Sequence, residues 1–275
     1  SVLEELAGNL DELASRDDLQ GLVIISAKPG MFIAGADLRE FASSLDASQD
    51  EIVQKCRLGQ TLFQRLSQVP YVTVAAIDGI CVGGGAELSV WCDRRIVSDG
   101  PKTEIGFPEV KLGLFPGWGG TARAPRMVGM ANALEMVTAG NSIDAEQAYE
   151  MGLASHVAPT DRLLASAIDL IRLEQKTGDY LKDRQLWSGP IKISEAELGF
   201  LGATASAMIQ QQTKGHYPAP SAALEVMMEA SAMDIDAACQ LEAEGMGYLA
   251  PVAPNLTQEG REANRRVEAV LLNTE

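Results

Sequence analysis

The chain has 275 residues, 46% of them hydrophobic and 22% charged, and its 38 acidic and 22 basic side chains give a net charge of −16. This is ordinary globular composition, and no apolar run approaches the roughly 20 residues that a membrane span needs. The acidic balance argues against nucleic acid or an anionic membrane as the main partner, because surfaces that bind them are normally basic. An anionic small molecule would need a local basic cluster or main-chain N–H donors.

Cysteine and histidine usage limits the metal and disulfide chemistry that we expect. The cysteines follow neither a CxxC spacing nor a disulfide pattern: Cys56, Cys81, Cys92 and Cys239. They are predicted to be reduced thiols of an intracellular protein. Two histidines, His156 and His216, are too few for a multi-histidine metal site, so we expect no metal. No secretory leader is expected at the start of the sequence.

The chain opens with an amphipathic pattern. Leucines on one face predict a helix over 2–14, and Ser1 with Glu4 matches the S-x-x-E capping box. Residues 28–42 are punctuated by glycine and proline, which predicts a loop running into a helix. A polar, amphipathic stretch covers about residues 48–68.

Short apolar runs predict buried strands in the first half of the chain, at 21–26, 71–79 and 94–98. Residues 131–153 carry the apolar stripe of helices, and from about residue 160 the pattern is almost entirely helical. Short buried strands that alternate with helices indicate an α/β protein whose sheet faces are both covered.

A first turn of small residues occurs in “FIAGADL” (32–38), where Ala34, Gly35, Ala36 and Asp37 lie between a strand and a helix. Small residues there allow close approach of a ligand and leave N–H groups free at the helix start. A simple tight turn explains the same residues equally well, so this motif alone does not decide.

A second glycine-rich turn, “VGGGAEL” (82–88), follows the predicted strand at 71–79 and leads into a helix. N–H groups at such a turn can form an oxyanion hole, a pair of donors aimed at a developing negative oxygen. The helix dipole would explain Glu87 in the first turn on structural grounds. It does not explain Gly83–Gly85, and we therefore favour a functional interpretation.

A third segment, “EIGFPEVKLGLFPGWGGTARAPR” (104–126), places Glu109 among apolar residues. Most single loop glutamates are simply exposed, which is the alternative here. Two carboxylates in apolar surroundings are the groups that general acid–base catalysis needs. Within this segment “GWGGTA” (117–122) fits G-x-G-x-x-A, but Pro116 precedes it where a strand is required, so no dinucleotide site is predicted.

Three segments resemble, in order and spacing, the signature regions of the crotonase (enoyl-CoA hydratase/isomerase) superfamily: “SAKPGMFIAGADL”, “AAIDGICVGGGAELSVWCD” and “IGFPEVKLGLFPGWGGTARAPRMVG”. The resemblance is closer still to the hydratase/isomerase part of the multifunctional fatty-acid oxidation α subunit. It rests there on “LGLFPGWGGTARAPRMVG”, on “KGHYPAP” (214–220) and on the acidic helical tail.

The resemblance implies an α/β fold, a crotonase-like right-handed spiral of stacked ββα units with a C-terminal helical region. The spiral core is expected over residues 1–190. Residues 191–275 are expected to be helical and to resemble the linker to a dehydrogenase part that is absent here. We therefore expect a fragment of a longer protein or a stand-alone relative, with no NAD binding.

The resemblance also implies the site residues. The thioester oxygen of an acyl-CoA is expected to accept main-chain N–H groups of Ala36 and Gly84, with Glu87 and Glu109 as catalytic carboxylates. The implied CoA-binding residues are Ala34, Lys28, Arg39 and Asp37, with the main chain near Ala34 meeting the adenine and Lys28 and Arg39 meeting phosphates. The implied acyl-pocket residues, each of which also fits a plain core position, are Phe107, Phe115 and Trp118.

The implied function is that of an enoyl-CoA hydratase of fatty-acid β-oxidation, which adds water across 2-trans-enoyl-CoA to give 3-hydroxyacyl-CoA. No cofactor is expected, because the coenzyme A thioester is the substrate. The alternatives are a Δ3-Δ2-enoyl-CoA isomerase, as main or second activity, and a non-catalytic acyl-CoA-binding module. The expected assembly is a homotrimer, or a complex with a thiolase subunit if the chain belongs to a multifunctional enzyme.

Overall fold

The computed structural model describes residues 2–35 and 47–249, and within them two four-stranded sheets form the centre of the fold. The strands are β1 (Gly21–Ile25), β2 (Met31–Ala34), β3 (Val72–Ile77), β4 (Ile80–Val82), β5 (Arg94–Ser98), β6 (Glu104–Gly106), β7 (Ser142–Asp144) and β8 (His156–Ala158). One sheet has the order β1-β3-β5-β8 and the other β2-β4-β6-β7. Strands β1 to β6 thus alternate between the sheets, and β7 stays beside β6 before β8 returns to the first sheet. The alternation gives a spiral of stacked ββα units and confirms the predicted fold class.

Helices connect and cover these strands. Those that the described residues form are α1 (Val2–Ala14), α2 (Gln49–Gln64), α3 (Gly84–Trp91), α4 (Gly120–Val128), α5 (Met130–Ala139), α6 (Ala145–Glu150), α7 (Leu163–Thr177), α8 (Asp179–Ser188), α9 (Glu195–Thr213), α10 (Ala219–Ala230) and α11 (Ile235–Tyr248). Short 3₁₀ turns lie at Arg65–Ser67, Pro108–Leu112 and Thr160–Arg162. In the part of the chain so described, no helix is both long enough and apolar enough to cross a membrane.

The first sheet is covered on both faces. All six residues of β3 are buried, which explains why its sequence is a continuous apolar run rather than an alternating one. One face packs against α7 through Leu163, Ala167 and Ile171, and the other faces the main core. The parallel pairing of β1, β3, β5 and β8 requires such helical crossovers.

The second sheet sets the position of the glycine-rich turns. Strands β2, β4 and β6 are parallel, and β7 runs antiparallel at the edge. Ala34, the last residue of β2, pairs with Val82, the last residue of β4. The chain therefore leaves both strands at the same end of the sheet, where the two turns lie next to each other.

The last helix packs closely against the first half of the chain. A Cβ at Gly247 would lie 2.8 Å from the Gln49 side chain and 2.9 Å from that of Val53, both on α2. A Cβ at Gly245 would lie 3.1 Å from the ring of Phe115. Because glycines permit this approach, α11 contacts α2 and the segment before α4 directly. The predicted boundary at residue 190 stays a prediction.

The observed elements differ from the sequence pattern at short segments. The helix at 2–14 and the strands near 21–26, 71–79 and 94–98 are confirmed. Residues 28–42 were predicted as loop and helix, but Met31–Ala34 form a strand. Helix α4 was not predicted, because it begins in a glycine-rich turn and contains Pro125. The cap at Ser1 lies outside the described residues, as does the helix predicted near the end of the chain.

Candidate active site

The two glycine-rich turns lie side by side at the end of the second sheet. Gly35 follows β2 with φ +88°, and Gly83 follows β4 with φ +58°, both in the region that favours glycine. A Cβ at Gly83 would lie 3.3 Å from the Cα of Gly35. The chain therefore brings the start of the “AGAD” segment against the “GGG” turn. Ala36 itself lies outside the described residues.

The second turn starts α3 and offers an N–H donor. Gly84 is the first residue of that helix, so its N–H has no acceptor within the helix. A Cβ at Gly83 would also lie 3.4 Å from Oε1 of Glu109, which places that carboxylate over the turn. This donor and a carboxylate thus occur within one small space, an arrangement that can serve as part of an oxyanion hole beside an acid–base group.

Glu87 lies in the first turn of α3 and is buried. Its Oε1 accepts the N–H of Trp118 at 2.6 Å and that of Gly120 at 3.0 Å. Both donors belong to the turn that starts α4, and they fix the orientation of the carboxylate. Because they favour the charged form, they partly offset the cost of burying it.

Glu109 lies at the start of the 3₁₀ turn Pro108–Leu112. Its Oε2 is buried, and within residues 2–35 and 47–249 it has no hydrogen-bond partner. A buried carboxylate oxygen without a partner carries a desolvation penalty, and such groups are concentrated at functional sites. Glu109 therefore presents one oxygen that is free to exchange a proton with a bound molecule.

The surroundings raise the pKa of both carboxyl groups. Burial raises the pKa of Glu87 well above its ordinary value, the charges of Glu109 and Glu242 raise it further, and the N–H groups of Trp118 and Gly120 lower it. Burial raises the pKa of Glu109 to about 7, with a further contribution from Glu242. The pair can therefore retain a proton near neutral pH, as a site with one acid and one base requires.

Comparison with known proteins identifies the family to which this site belongs. A sequence profile described as enoyl-CoA hydratase/isomerase matches residues 1–181 of the chain. The chain belongs to that family. The matched range contains both glutamates and both glycine-rich turns and ends before α9.

Solved structures with the enoyl-CoA hydratase/isomerase fold are similar over most of the chain. An enoyl-CoA hydratase from Bacillus anthracis is 28% identical, with a TM-score of 0.57 over 83% of this chain and 79% of that one. One from Geobacillus kaustophilus is 25% identical, with a TM-score of 0.61 over 84% and 85% of the two chains. The human mitochondrial Δ3-Δ2-enoyl-CoA isomerase is similar in fold alone. It is 23% identical, with a TM-score of 0.58 over 87% of this chain and 84% of that one.

The aromatic residues predicted for the acyl pocket of this family member lie at different depths. A Cβ at Gly84 would lie 2.7 Å from the Trp118 ring, so the indole borders the N–H donor. Phe107 is fully buried against Gly120, beside the Glu87 carboxylate. Phe115 is fully buried and packs against Gly245 of α11, as a core residue does.

The residues predicted to bind coenzyme A are only partly described. Lys28 is exposed in the turn between β1 and β2, and Ala34 is exposed at the opposite end of β2. The N–H of Lys28 donates to the Ser26 hydroxyl at 3.1 Å, which shapes that turn. Asp37 and Arg39, like Ala36, lie outside the described residues.

The sequence analysis missed a third buried carboxylate, Glu242 on α11, which is fully buried. Burial raises its pKa, while the hydroxyl of Thr121 and the amide of Gln60 lower it. A signal was present in the sequence, because Ala238, Cys239 and Met246 place apolar residues one helical turn on either side of it. A glutamate in the middle of an apolar helical face is a candidate buried carboxylate.

The turn that starts α4 and donates to Glu87 is sensitive to substitution of its glycines. Gly119 has φ +108°, and a Cβ there would lie 2.4 Å from Nε1 of Trp91. We expect Gly119→Ala to lower the free energy of unfolding by about 3–5 kcal/mol, from backbone strain and overpacking together. Gly129→Ala is the matched control, since Gly129 has φ +80° but open space around it, and it should cost only about 1–2 kcal/mol. Denaturant unfolding measures both, and equal losses would contradict the packing argument.

Proposed function

We propose that the chain is an enoyl-CoA hydratase that adds water across the double bond of 2-trans-enoyl-CoA. The observation that carries the proposal is that the buried Glu87 and the buried, unpartnered Oε2 of Glu109 lie beside the N–H of Gly84. Membership of the enoyl-CoA hydratase/isomerase family and the likeness to two bacterial hydratases support it.

In this proposal the main chain polarises the thioester. Its carbonyl oxygen accepts the N–H groups of Gly84 and Ala36, which draw electrons from the conjugated double bond and make Cβ electrophilic. The same donors stabilise the negative charge that develops on the oxygen when water adds. One such donor is typically worth about 10²–10³ in rate.

The two glutamates move the protons. Water adds to Cβ and gives its proton to Glu87. Burial raises the pKa of Glu87, which makes it a stronger base, and the N–H groups of Trp118 and Gly120 oppose this and hold its Oε1 in place. Glu109, with a pKa raised to about 7 and an unpartnered Oε2, donates its proton to Cα. One O–H bond of water, the O–H bond of Glu109 and the C=C π bond break, while C–O, C–H and Glu87 O–H bonds form. The proton left on Glu87 balances the one that Glu109 gave.

The narrower role follows from the resemblance in the sequence. We propose that the hydratase serves fatty-acid β-oxidation and that the chain corresponds to the hydratase/isomerase part of a multifunctional α subunit. A Δ3-Δ2 isomerase needs only one proton-shuttling group, so the presence of two carboxylates at the site favours hydration as the main reaction. A non-catalytic acyl-CoA-binding module would not need an unpartnered carboxylate oxygen in its site.

The test measures the absorbance of the conjugated enoyl thioester after the protein is added to crotonyl-CoA or to a longer 2-enoyl-CoA. A 3-enoyl-CoA is assayed in parallel. Rapid loss of the 2-enoyl absorbance, reduced by about 10²–10⁴ in Glu87→Gln, is expected. Slow loss with fast conversion of the 3-enoyl thioester would instead support an isomerase. Acyl-CoA binding without either reaction would support the binding module, and the absence of binding would overturn the proposal.

A further inference from the structure

The turn formed by residues 118–121 donates to two carboxylates in alternation. Its first and third N–H groups donate to Oε1 of Glu87. Its second and fourth, those of Gly119 and Thr121, donate to Glu242 at 2.6 and 2.9 Å. Four consecutive donors of one turn are therefore divided between a candidate catalytic glutamate and a glutamate of the last helix.

The remaining contacts of Glu242 hold the same turn. Its Oε2 accepts the hydroxyl of Thr121 at 2.5 Å, and its Oε1 accepts Nε2 of Gln60 at 2.9 Å. Nε2 of Gln60 also donates to the carbonyl of Gly117, at 3.2 Å. Among the described residues, every main-chain group that the Glu242 carboxylate binds belongs to this turn.

The main chain of the turn 118–121 is packed closely against Glu87. Gly119 has a left-handed backbone conformation, and Gly120 approaches so closely that a Cβ there would lie 3.1 Å from Oε1 of Glu87. N–H hydrogen bonds weaken once the donor and acceptor separate beyond about 3.2 Å or lose alignment. A shift of a few tenths of an ångström in the turn would thus weaken the Gly120 hydrogen bond, now 3.0 Å, and leave the Glu87 carboxylate held mainly by Trp118.

We propose that Glu242 is a positioning residue for Glu87, holding the turn 118–121 so that the N–H groups of Trp118 and Gly120 converge on the carboxylate that activates water. This role explains why a fully buried carboxylate occurs on α11, where an apolar residue would avoid the desolvation cost. The inference rests on the proposed function of Glu87 as the base of the hydration step.

The experiment compares four variants of the full chain. Glu242→Gln replaces one acceptor oxygen by a donor, and Thr121→Val removes the hydroxyl but keeps the shape of the side chain. Thr121→Ser retains the hydroxyl and is the conservative rescue. Glu244→Gln is the matched control, because Glu244 is an exposed acid of the same helix whose carboxylate accepts from Gln240 instead.

Steady-state hydration separates positioning from substrate binding. We expect kcat to fall about 10–100-fold in Glu242→Gln and about 3–10-fold in Thr121→Val, with KM for crotonyl-CoA within about twofold. Thr121→Ser and Glu244→Gln should retain the kcat of the unsubstituted chain. If Glu242→Gln does not fold, the Thr121 pair decides. Equal kcat in Thr121→Val and Thr121→Ser, or a loss that lies in KM, would overturn the proposal.

A measurement without turnover distinguishes this inference from the proposed function. In the free protein, the amide resonances of Trp118 and Gly120 should follow the titration of Glu87, to which both donate. In Thr121→Val and Glu242→Gln this pH response should weaken, even if the unsubstituted chain proves to have no hydratase activity. An equal response in all variants would overturn the positioning role whatever the reaction is.

Discussion

Glu109→Gln should lower kcat for the hydration of crotonyl-CoA by about 10³-fold, because glutamine keeps the shape of the side chain but cannot donate a carboxylic proton to Cα. The unpartnered Oε2 of Glu109 has no hydrogen bond among the described residues to lose. In the unsubstituted chain, kcat/KM for hydration should fall as the pH rises above about 7, where Glu109 gives up its proton. Stopped-flow absorbance across pH 5–9 measures both, and an unchanged kcat in the variant would refute the assignment.

The same substitution should raise stability above neutral pH. The pKa of Glu109 is raised on folding from 4.5 to about 7, so the folded protein binds more protons than the unfolded one between those values. The stabilising effect of this proton is fully present below 4.5 and lost as the pH rises through about 7. Glu109→Gln removes that titration and should be more stable at pH 8 by an amount of the order of 1–3 kcal/mol. Equal thermal midpoints at pH 8 would contradict the burial of this carboxylate.

Gly84→Pro should lower kcat/KM for hydration by about 10²–10³ relative to Gly84→Ala, since only proline removes the main-chain N–H. Proline fits the first position of α3 in its backbone angles. Either side chain, however, adds a Cβ that lies 2.7 Å from the ring of Trp118. The alanine variant therefore shares the Cβ contact and keeps the donor, whereas proline also places its Cδ where the N–H was.

The comparison between these two variants removes the effect of the added Cβ and leaves the loss of the N–H together with the ring that replaces it. Thermal unfolding of each should show similar losses relative to the unsubstituted chain, because the added Cβ meets the same ring. If kcat/KM is equal in both variants, the N–H of Gly84 does not bind the thioester oxygen. If proline alone destabilises the fold, binding of a saturated acyl-CoA to both folded variants gives the affinity difference instead.

The longer elements of the fold could be predicted from the sequence, and the short ones could not. Strand β3 has six consecutive buried residues, and α1 shows leucines at helical spacing, so both leave a clear hydrophobic pattern. Strands β4, β6 and β7 have three residues each, too few for any period to appear. Their existence depends on pairing with neighbouring strands, which is a property of the tertiary structure.

The candidate site shows the same division between local and distant determinants. The motif at Gly83–Glu87 is local, because the strand, turn and helix that present the glutamate are consecutive in the sequence. The pairing of this turn with Gly35 follows from the register of β2 and β4, which no local pattern fixes. The contacts of Glu242 could not be predicted, because the packing of α11 alone brings it to its partners Gln60, Gly119 and Thr121.

The packing of α11 also determines when the hydrogen bonds of the turn 118–121 can be completed during synthesis of the chain. The hydrogen bonds of Glu242 to Gly119 and Gln60 span 123 and 182 residues, so they form only after nearly all of the described chain has left the ribosome. Closing loops of this length is entropically costly and slows folding. A nascent chain that ends before residue 235 can pair its sheets, but the turn at 118–121 then has only the Glu87 half of its acceptors. Under the proposed role of Glu242, a chain released before α11 is made would keep both glutamates and both glycine-rich turns but would lack the group that aligns Glu87.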